Sequence, residues 1–319
     1  MQTVIWREHR LSRLTLGTAQ FGMAYGIANR VGQPALSEVV ALVAAAYEGG
    51  ITVFDTAAAY GDSEERLGTA LHTIGIADRV TVVTKVRPLQ DEQLHQTVLA
   101  RQAIRTSVEQ SRQRLRLDCL PVVLFHREAD AVYVDVLADL VAQGRIGTFG
   151  ISCDHDPESA IRLVDYPGIT ALQCPMNLLD VRHLRFGLPE LALQRGMAIF
   201  ARSAFLQGLL LLPEAAIPLH LRGILPVRRR LEALACEHGL TLAELAIRFL
   251  LSQKSVTSVL VGVETVAQLR DNLQLAERGA LDERLLVRLT NCDLQIDTAV
   301  ITPRLWPSLM SSLFSQGDR

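Results

Sequence analysis

Cysteine is scarce in this chain and carries no pattern. Cys119, Cys153, Cys174, Cys236 and Cys292 are scattered without CxxC spacing. An odd, unpatterned set argues against a disulfide framework or a structural zinc site and fits free thiols in a reducing compartment. Charge of one sign is lacking too. The formal net charge is −2, and the one dense basic run, Arg228-Arg229-Arg230, falls at the start of an expected helix, so no nucleic-acid partner is read from it. No apolar run is long and uniform enough to span a bilayer, and the first ten residues lack the apolar core of a signal peptide. The expectation is a cytoplasmic protein without a membrane partner.

Two motifs are also missing. No GxGxxG follows the first strand-like run; Gly17-Thr18-Ala19-Gln20-Phe21-Gly22 has the wrong spacing, which argues against a doubly wound dinucleotide-binding sheet. No HxH lies near that strand, so a metal-dependent hydrolase barrel would lack ligands. Asp154-His155-Asp156 resembles a ligand cluster but reads as a polar turn leading to Pro157.

What is present is an alternation of short β-branched runs with longer amphipathic segments, the pattern of parallel strands joined by crossover helices. Eight strands are expected, at Leu14 to Leu16, Ile51 to Phe54, Val80 to Thr84, Cys119 to Phe125, Ile146 to Ile151, Ile169 to Gln173, Met197 to Ala201 and Ser258 to Val261. Helix starts are marked by Ser37 before Glu38, by Ser63-Glu64-Glu65 and by Asp156-Pro157-Glu158; stops are marked by Gly49-Gly50, Gly144, Gly196 and Gly239. The 319 residues suit one (β/α)8 barrel, a fold that needs about 250 residues before insertions. The whole chain, 1–319, is therefore read as a single domain. A long loop and two helices, Val227 to His238 and Leu242 to Gln253, occupy about 202–257 between the seventh and eighth strands. Glu244 and Arg248 read as an exposed ion pair on the second helix. A tail from about 295 to 319, with Pro303, Trp306 and Pro307, either folds over the barrel mouth or frays.

Barrel enzymes gather their chemistry at the carboxyl ends of several strands. Asp55, Lys85 and His126 each sit where such a strand ends, and Tyr60 follows Asp55 by five residues. Any one of them has a bland reading as a cap, a solvated charge, a packing aromatic or a surface imidazole. Their joint occurrence at successive strand ends is the signal.

From Leu14 to about Asn272 the chain resembles the aldo-keto reductases, through Phe54-Asp55-Thr56-Ala57, Tyr60-Gly61-Asp62-Ser63-Glu64, Thr84-Lys85 and Phe125-His126. The resemblance implies a (β/α)8 barrel that moves hydride between a nicotinamide cofactor and a carbonyl. It implies Tyr60 as general acid or base, Lys85 and Asp55 as its tuning pair, and His126 as the group orienting the carbonyl. Hydride delivered to a carbonyl carbon builds charge on oxygen, so a proton donor must face that oxygen. A free tyrosine has a pKa of about 10, and a lysine ammonium beside it favours the phenolate and lowers that value.

The same resemblance carries cofactor positions. Thr18 lies at the first strand end, and Ser152 and Gln173 match residues that hold the nicotinamide carboxamide, though Cys153 replaces the family's usual asparagine. Arg202 stands where an aromatic residue commonly stacks on the nicotinamide; a guanidinium is planar enough to stack and would favour the uncharged, reduced ring. Ser203 and Gln207 would face the pyrophosphate. Gly262, Glu264, Thr265, Gln268 and Asn272 belong to the last strand and helix start, where backbone donors suit a phosphate. Many NADPH-using relatives clamp the 2′-phosphate there with lysine or arginine. Glu264 would repel it or accept from a ribose hydroxyl, and Arg270 or Arg278 is the available cation, which leaves NADP(H) only slightly ahead of NAD(H).

The favoured class is thus an oxidoreductase of small aldehydes, ketones or sugar-derived carbonyls, or of the matching alcohols and hemiacetals. The alternative is a cofactor-binding sensor or regulatory subunit on the same barrel. Aromatic residues make up only 5% of the chain. Phe21, Phe205 and Trp306 are the candidates near the mouth, which favours a polar, sugar-like substrate over a polycyclic one. Oligomeric state is not encoded in any pattern.

Overall fold

The chain opens with an antiparallel hairpin, β1 (Thr3–Trp6) and β2 (His9–Ser12), turned by Arg7 at φ 51°. Eight parallel strands then close into a barrel: β3 (Leu14–Gly17), β4 (Val53–Asp55), β5 (Thr81–Val86), β6 (Leu120–Phe125), β7 (Ile146–Ser152), β8 (Ile169–Pro175), β9 (Ala198–Arg202) and β10 (Ser258–Gly262), which pairs back on β3. The computed structural model describes residues 1–292 and 294–307. All eight strands stand at their expected places within two residues. The hairpin was not foreseen, because its strands are four residues long and carry no clear alternation.

Alternation along the barrel strands decides what faces where, since successive side chains point to opposite faces. Val53, Val83, Leu124, Ala171 and Phe200 fill the interior with Leu260. Two residues further along the same strands come Asp55, Lys85, His126, Gln173 and Arg202, which therefore share the inward face. Residues of the opposite parity, such as Phe54, Val82, Phe125, Leu172 and Ile199, pack outward against the helices. The hairpin closes the other end. Trp6 and Leu11 belong to the interior cluster, and the Trp6 indole N–H donates to the Gly196 carbonyl at 3.2 Å, just ahead of β9.

Several local signals act as read. The Asp156 side chain caps the helix Pro157–Leu163 by accepting from the Glu158 N–H, and Gly50, Gly144, Gly196 and Gly239 take the left-handed conformation at helix ends. Ser37 does not cap its helix. That helix starts at Leu36, and the Glu38 carboxylate accepts from the Ala35 N–H at 2.7 Å. The two expected helices of the insertion are Leu225–Glu237 and Leu242–Leu251. The Glu244–Arg248 pair is not exposed as expected: Glu244 is buried and accepts from both Arg248 and Arg278 at 2.7 Å.

The tail folds over the mouth as far as it is described. Short helical turns at Thr298–Ile301 and Pro303–Leu305 are fixed by Trp306, whose indole N–H donates to the Val300 carbonyl at 3.1 Å, and by an Arg304–Asp154 ion pair at 2.9 Å. Residues 308–319 of the expected tail lie outside the described residues. No helix among the described residues is long and apolar enough to cross a membrane.

Candidate active site

Asp55 and Lys85 meet at the centre of the mouth, 4% and 1% exposed. Lys85 Nζ donates to both Asp55 oxygens, at 2.7 and 2.8 Å, and to the Thr56 carbonyl at 2.9 Å. Three acceptors satisfy all three ammonium protons, which makes the buried charge tolerable. Burial pushes the lysine pKa down, and Asp55 opposes that shift.

Tyr60 stands beside this pair, with Lys85 Nζ 5.2 Å from its ring centroid and the His126 ring edge-on at 5.6 Å. Its loop is fixed by backbone packing. A Cβ on Gly22 would fall 1.8 Å from the Tyr60 carbonyl oxygen, and one on Gly61, which has φ +55°, would fall 2.1 Å from the Gly22 oxygen. Only glycines allow that approach. Ser63 ties the same loop down by donating to the Thr18 carbonyl at 2.7 Å, while the Thr18 hydroxyl donates to the Asp55 carbonyl at 2.9 Å. Gly22 was read only as part of a failed motif; its role depends on a contact across 39 positions that no local pattern announces.

The expected lowering of the tyrosine pKa does not occur. Burial raises it, the Asp55 charge adds to the rise, and Arg202 opposes it. Lys85, held in contact with Asp55, does not offset that rise. Tyr60 is thus a firmly protonated donor. His126 is neutral: burial, then Lys85, Arg202 and Arg127, hold its pKa down to about 3. Its Nδ1 is buried with no partner among the described residues.

These groups line one elongated cavity of about 660 Å³, which runs from His126 and Tyr60 across the ends of β3 and β9 to the helix Val266–Glu277. Thr18, Asp55, Tyr60, His126, Ser152, Gln173, Arg202, Ser203, Gln207, Gly262, Glu264, Gln268 and Asn272 all reach its wall. Lys85 lies behind Asp55, and Thr265 is outside the wall, where it caps the helix by accepting from the Gln268 N–H at 3.2 Å. The Gln173 amide donates to Asp55 at 2.7 Å. Arg202 donates to the Cys153 carbonyl at 3.0 Å and to the Ser203 hydroxyl at 3.3 Å, has no carboxylate partner among the described residues, and keeps a buried Nε–H unpaired. Beyond it Ser203, Leu206 and Gln207 have φ of 67°, 48° and 55°, a run costly for side chains with a Cβ and typical of binding loops.

A second loop, unforeseen, covers this one. Tyr25, Gly26, Ala28 and Asn29 join the wall, Tyr25 is hydrogen-bonded to Gln207, and a Cβ on Gly208 would lie 2.4 Å from the Ala28 Cβ. The stretch between β3 and the helix Leu36–Glu48 is long for a βα loop, and that length was the available signal. Asp154, His155 and Asp156 point to three different places: Arg304, the buried Asp180 at 3.2 Å, and the helix they precede.

Asp55, Lys85 and His126 at successive barrel strand ends, with Tyr60 on the loop after the first of them, are thus gathered at one cavity. The aldo/keto reductase family model matches residues 13–293. The chain belongs to the aldo-keto reductase family. It is 27% identical over 275 residues to an L-glyceraldehyde 3-phosphate reductase of Escherichia coli O157:H7, covering 75% of this chain and 79% of that protein. It is 26% identical over 326 residues to a pyridoxal 4-dehydrogenase of Microbacterium luteolum, covering 86% and 92%. The barrel overlays the holo form of an aldo-keto reductase from Bacillus halodurans with a TM-score of 0.75 at 19% identity, covering 94% and 99%. As an aldo-keto reductase, the protein is an oxidoreductase of carbonyl compounds, and the family works with nicotinamide cofactors.

The donor set fits such a cofactor. The Ser152 hydroxyl and the Asn272 amide, which have no hydrogen-bond partner among the described residues, are polar groups on the cavity wall available to a ligand, and the Arg202 Nε–H is buried and unpaired among the described residues.

Proposed function

We propose that this chain is a reductase of small, polar aldehydes or ketones, acting in reverse on the corresponding alcohols or hemiacetals, with Tyr60 as the general acid or base. The observation that carries this reading is the placement of Tyr60 edge-on to His126 and beside the Lys85–Asp55 pair, with Tyr60, His126 and Asp55 on the wall of one cavity. Ser152, Gln173 and Arg202 would hold the nicotinamide end of the cofactor, and Ser203, Gln207 and Asn272 the remainder. The bound nicotinamide supplies or accepts the hydride.

The protein's own groups handle the oxygen and its proton. Neutral His126 orients the carbonyl with a hydrogen bond and adds no competing cation. Tyr60 then holds the proton that passes to the oxygen as negative charge builds there. Lys85 and Asp55 act as positioning residues that fix the field around the phenol; an anionic Tyr60 would draw on Lys85 once its proton has left. Arg202, hydrogen-bonded to the Cys153 carbonyl, is the proposed stacking surface for the nicotinamide, and a cofactor complex lacking that stack would discard this role.

Relatives named for glyceraldehyde 3-phosphate, methylglyoxal and pyridoxal set the first substrates to try. Consumption of NADH or NADPH with at least one of these or with a simple aldose supports the reading. Cofactor binding without turnover across that set would favour the sensor alternative. Failure to bind either cofactor would overturn both.

A further inference from the structure

The far end of the cavity, away from Tyr60, contains no cation among the described residues. Its wall there is made by Gly262, Val263, Glu264, Gln268 and Asn272. With the nicotinamide against Tyr60, the stretch of wall at the end of β10 and the start of the helix after it is the part of the cavity offered to the adenosine half of a dinucleotide. An extra phosphate on the adenosine ribose would bring about −1.5 to −2 charges at neutral pH, as a phosphate monoester does.

Three features oppose that charge. Glu264, half-buried on the wall, presents a carboxylate. Two of the backbone donors around the helix start are already taken: the Glu264 N–H donates to Gln268 Oε1 at 2.7 Å, and the Gln268 N–H donates to Thr265 Oγ1 at 3.2 Å. The two nearby arginines are elsewhere. Arg278 is bound to the buried Glu244 at 2.7 Å, and the exposed Arg270 does not reach the wall. A carboxylate, by contrast, is a good acceptor for the vicinal hydroxyls of an unmodified ribose.

We infer that this site takes NAD(H) in preference to NADP(H), with Glu264 as the residue that discriminates between them. The inference rests on the reductase reading above and deepens it. It reverses the slight lean to NADP(H) that Arg270 and Arg278 suggest in the sequence.

The test is equilibrium titration of the full chain with NADH and with NADPH, followed by nicotinamide fluorescence, with AMP and 2′,5′-ADP as competitors that probe the adenosine end alone. Tighter binding of NADH by at least about tenfold, a difference of about 1.4 kcal/mol, is expected. AMP should compete better than 2′,5′-ADP. The Glu264→Gln variant should narrow the gap chiefly by improving NADPH binding, and Glu264→Arg with Gln268→Arg should close or invert it. NADPH binding as tight as or tighter than NADH in the unaltered protein would overturn the inference and leave the reductase reading standing. A gap unmoved by these variants, in proteins that still bind NADH, would overturn the role of Glu264. Binding of neither cofactor would overturn both readings together.

Discussion

Each end of the barrel buries a cation, and the two are treated in opposite ways. At the closed end Arg13, 8% exposed, donates to the carbonyls of Leu251, Gln253 and Val256, while Ser12, Thr15, Thr52 and Ser258 bond to one another or to nearby backbone. Its charge meets only carbonyl dipoles that join β3 to the loop before β10. At the open end Lys85 faces a second titratable group, Asp55, and their neighbours His126 Nδ1 and Arg202 Nε have no partner among the described residues. A cation bonded only to carbonyls ties elements together; an ammonium–carboxylate pair beside a phenol and an imidazole on a cavity wall can act on a ligand. The difference separates what the barrel needs to close from what it needs to react.

The sharpest break between the ends is Tyr60→Phe. It should lower turnover by about 10² to 10⁴-fold, the usual worth of a general acid, with cofactor affinity and melting temperature nearly unchanged. Near-normal turnover would remove Tyr60 from the chemistry.

Gly22→Ala comes next. The added methyl would displace the Tyr60 loop, and a misplacement of roughly 1 Å costs about 100-fold in rate. Steady-state kinetics should show the loss in kcat, although Gly22 lies outside the cavity wall. An unaffected kcat would mean that the loop adapts.

Two lysine and arginine changes then test the contrast directly. Lys85→Met leaves Asp55 as an uncompensated buried charge and should destabilise the protein by about 3–5 kcal/mol while abolishing turnover. Arg13→Met leaves buried carbonyls without donors, with a cost of about 1–3 kcal/mol for each group that water cannot reach, and should spare kcat measured below the lowered melting point. Denaturant melts alongside kinetics distinguish the two; a kcat loss in the Arg13 variant would break the division of labour.

The smallest effect is in the pH response. His126 and His183 have folded pKa values lowered to about 3 and about 4 from an ordinary 6.5, in both cases chiefly by burial. The unfolded chain therefore binds more protons between those values and 6.5. Stability from these neutral imidazoles is fully present above about pH 6.5 and declines as pH falls toward the folded values. Thermal melts should be flatter above pH 7 than below 6, and His126→Gln should lessen the acid slope. Carbonyl reduction should show no break between pH 5 and 8 attributable to His126. A kinetic pKa near 6.5 that disappears in the His126 variant would refute its neutral state.

Sequence by itself determined the strands, the barrel and the inward set. Once Val53, Val83, Leu124, Ala171 and Phe200 are interior, a period of two places Asp55, Lys85, His126, Gln173 and Arg202 on the same face, and parallel closure brings them together. That information is local and repeated eight times. The tertiary structure alone decided the rest. The Gly22–Gly61 contact that positions Tyr60, the lid of Tyr25 and Ala28 over Gln207, and the tail held by Arg304 and Asp154 join residues far apart in the chain. So does the capture of Arg278 by Glu244, which left Glu264 facing a cavity end without a cation. A long charged side chain is free to reach several partners, and a phenol's acidity depends on its burial and its neighbours' charges. Neither is fixed until the fold has chosen which groups are buried together.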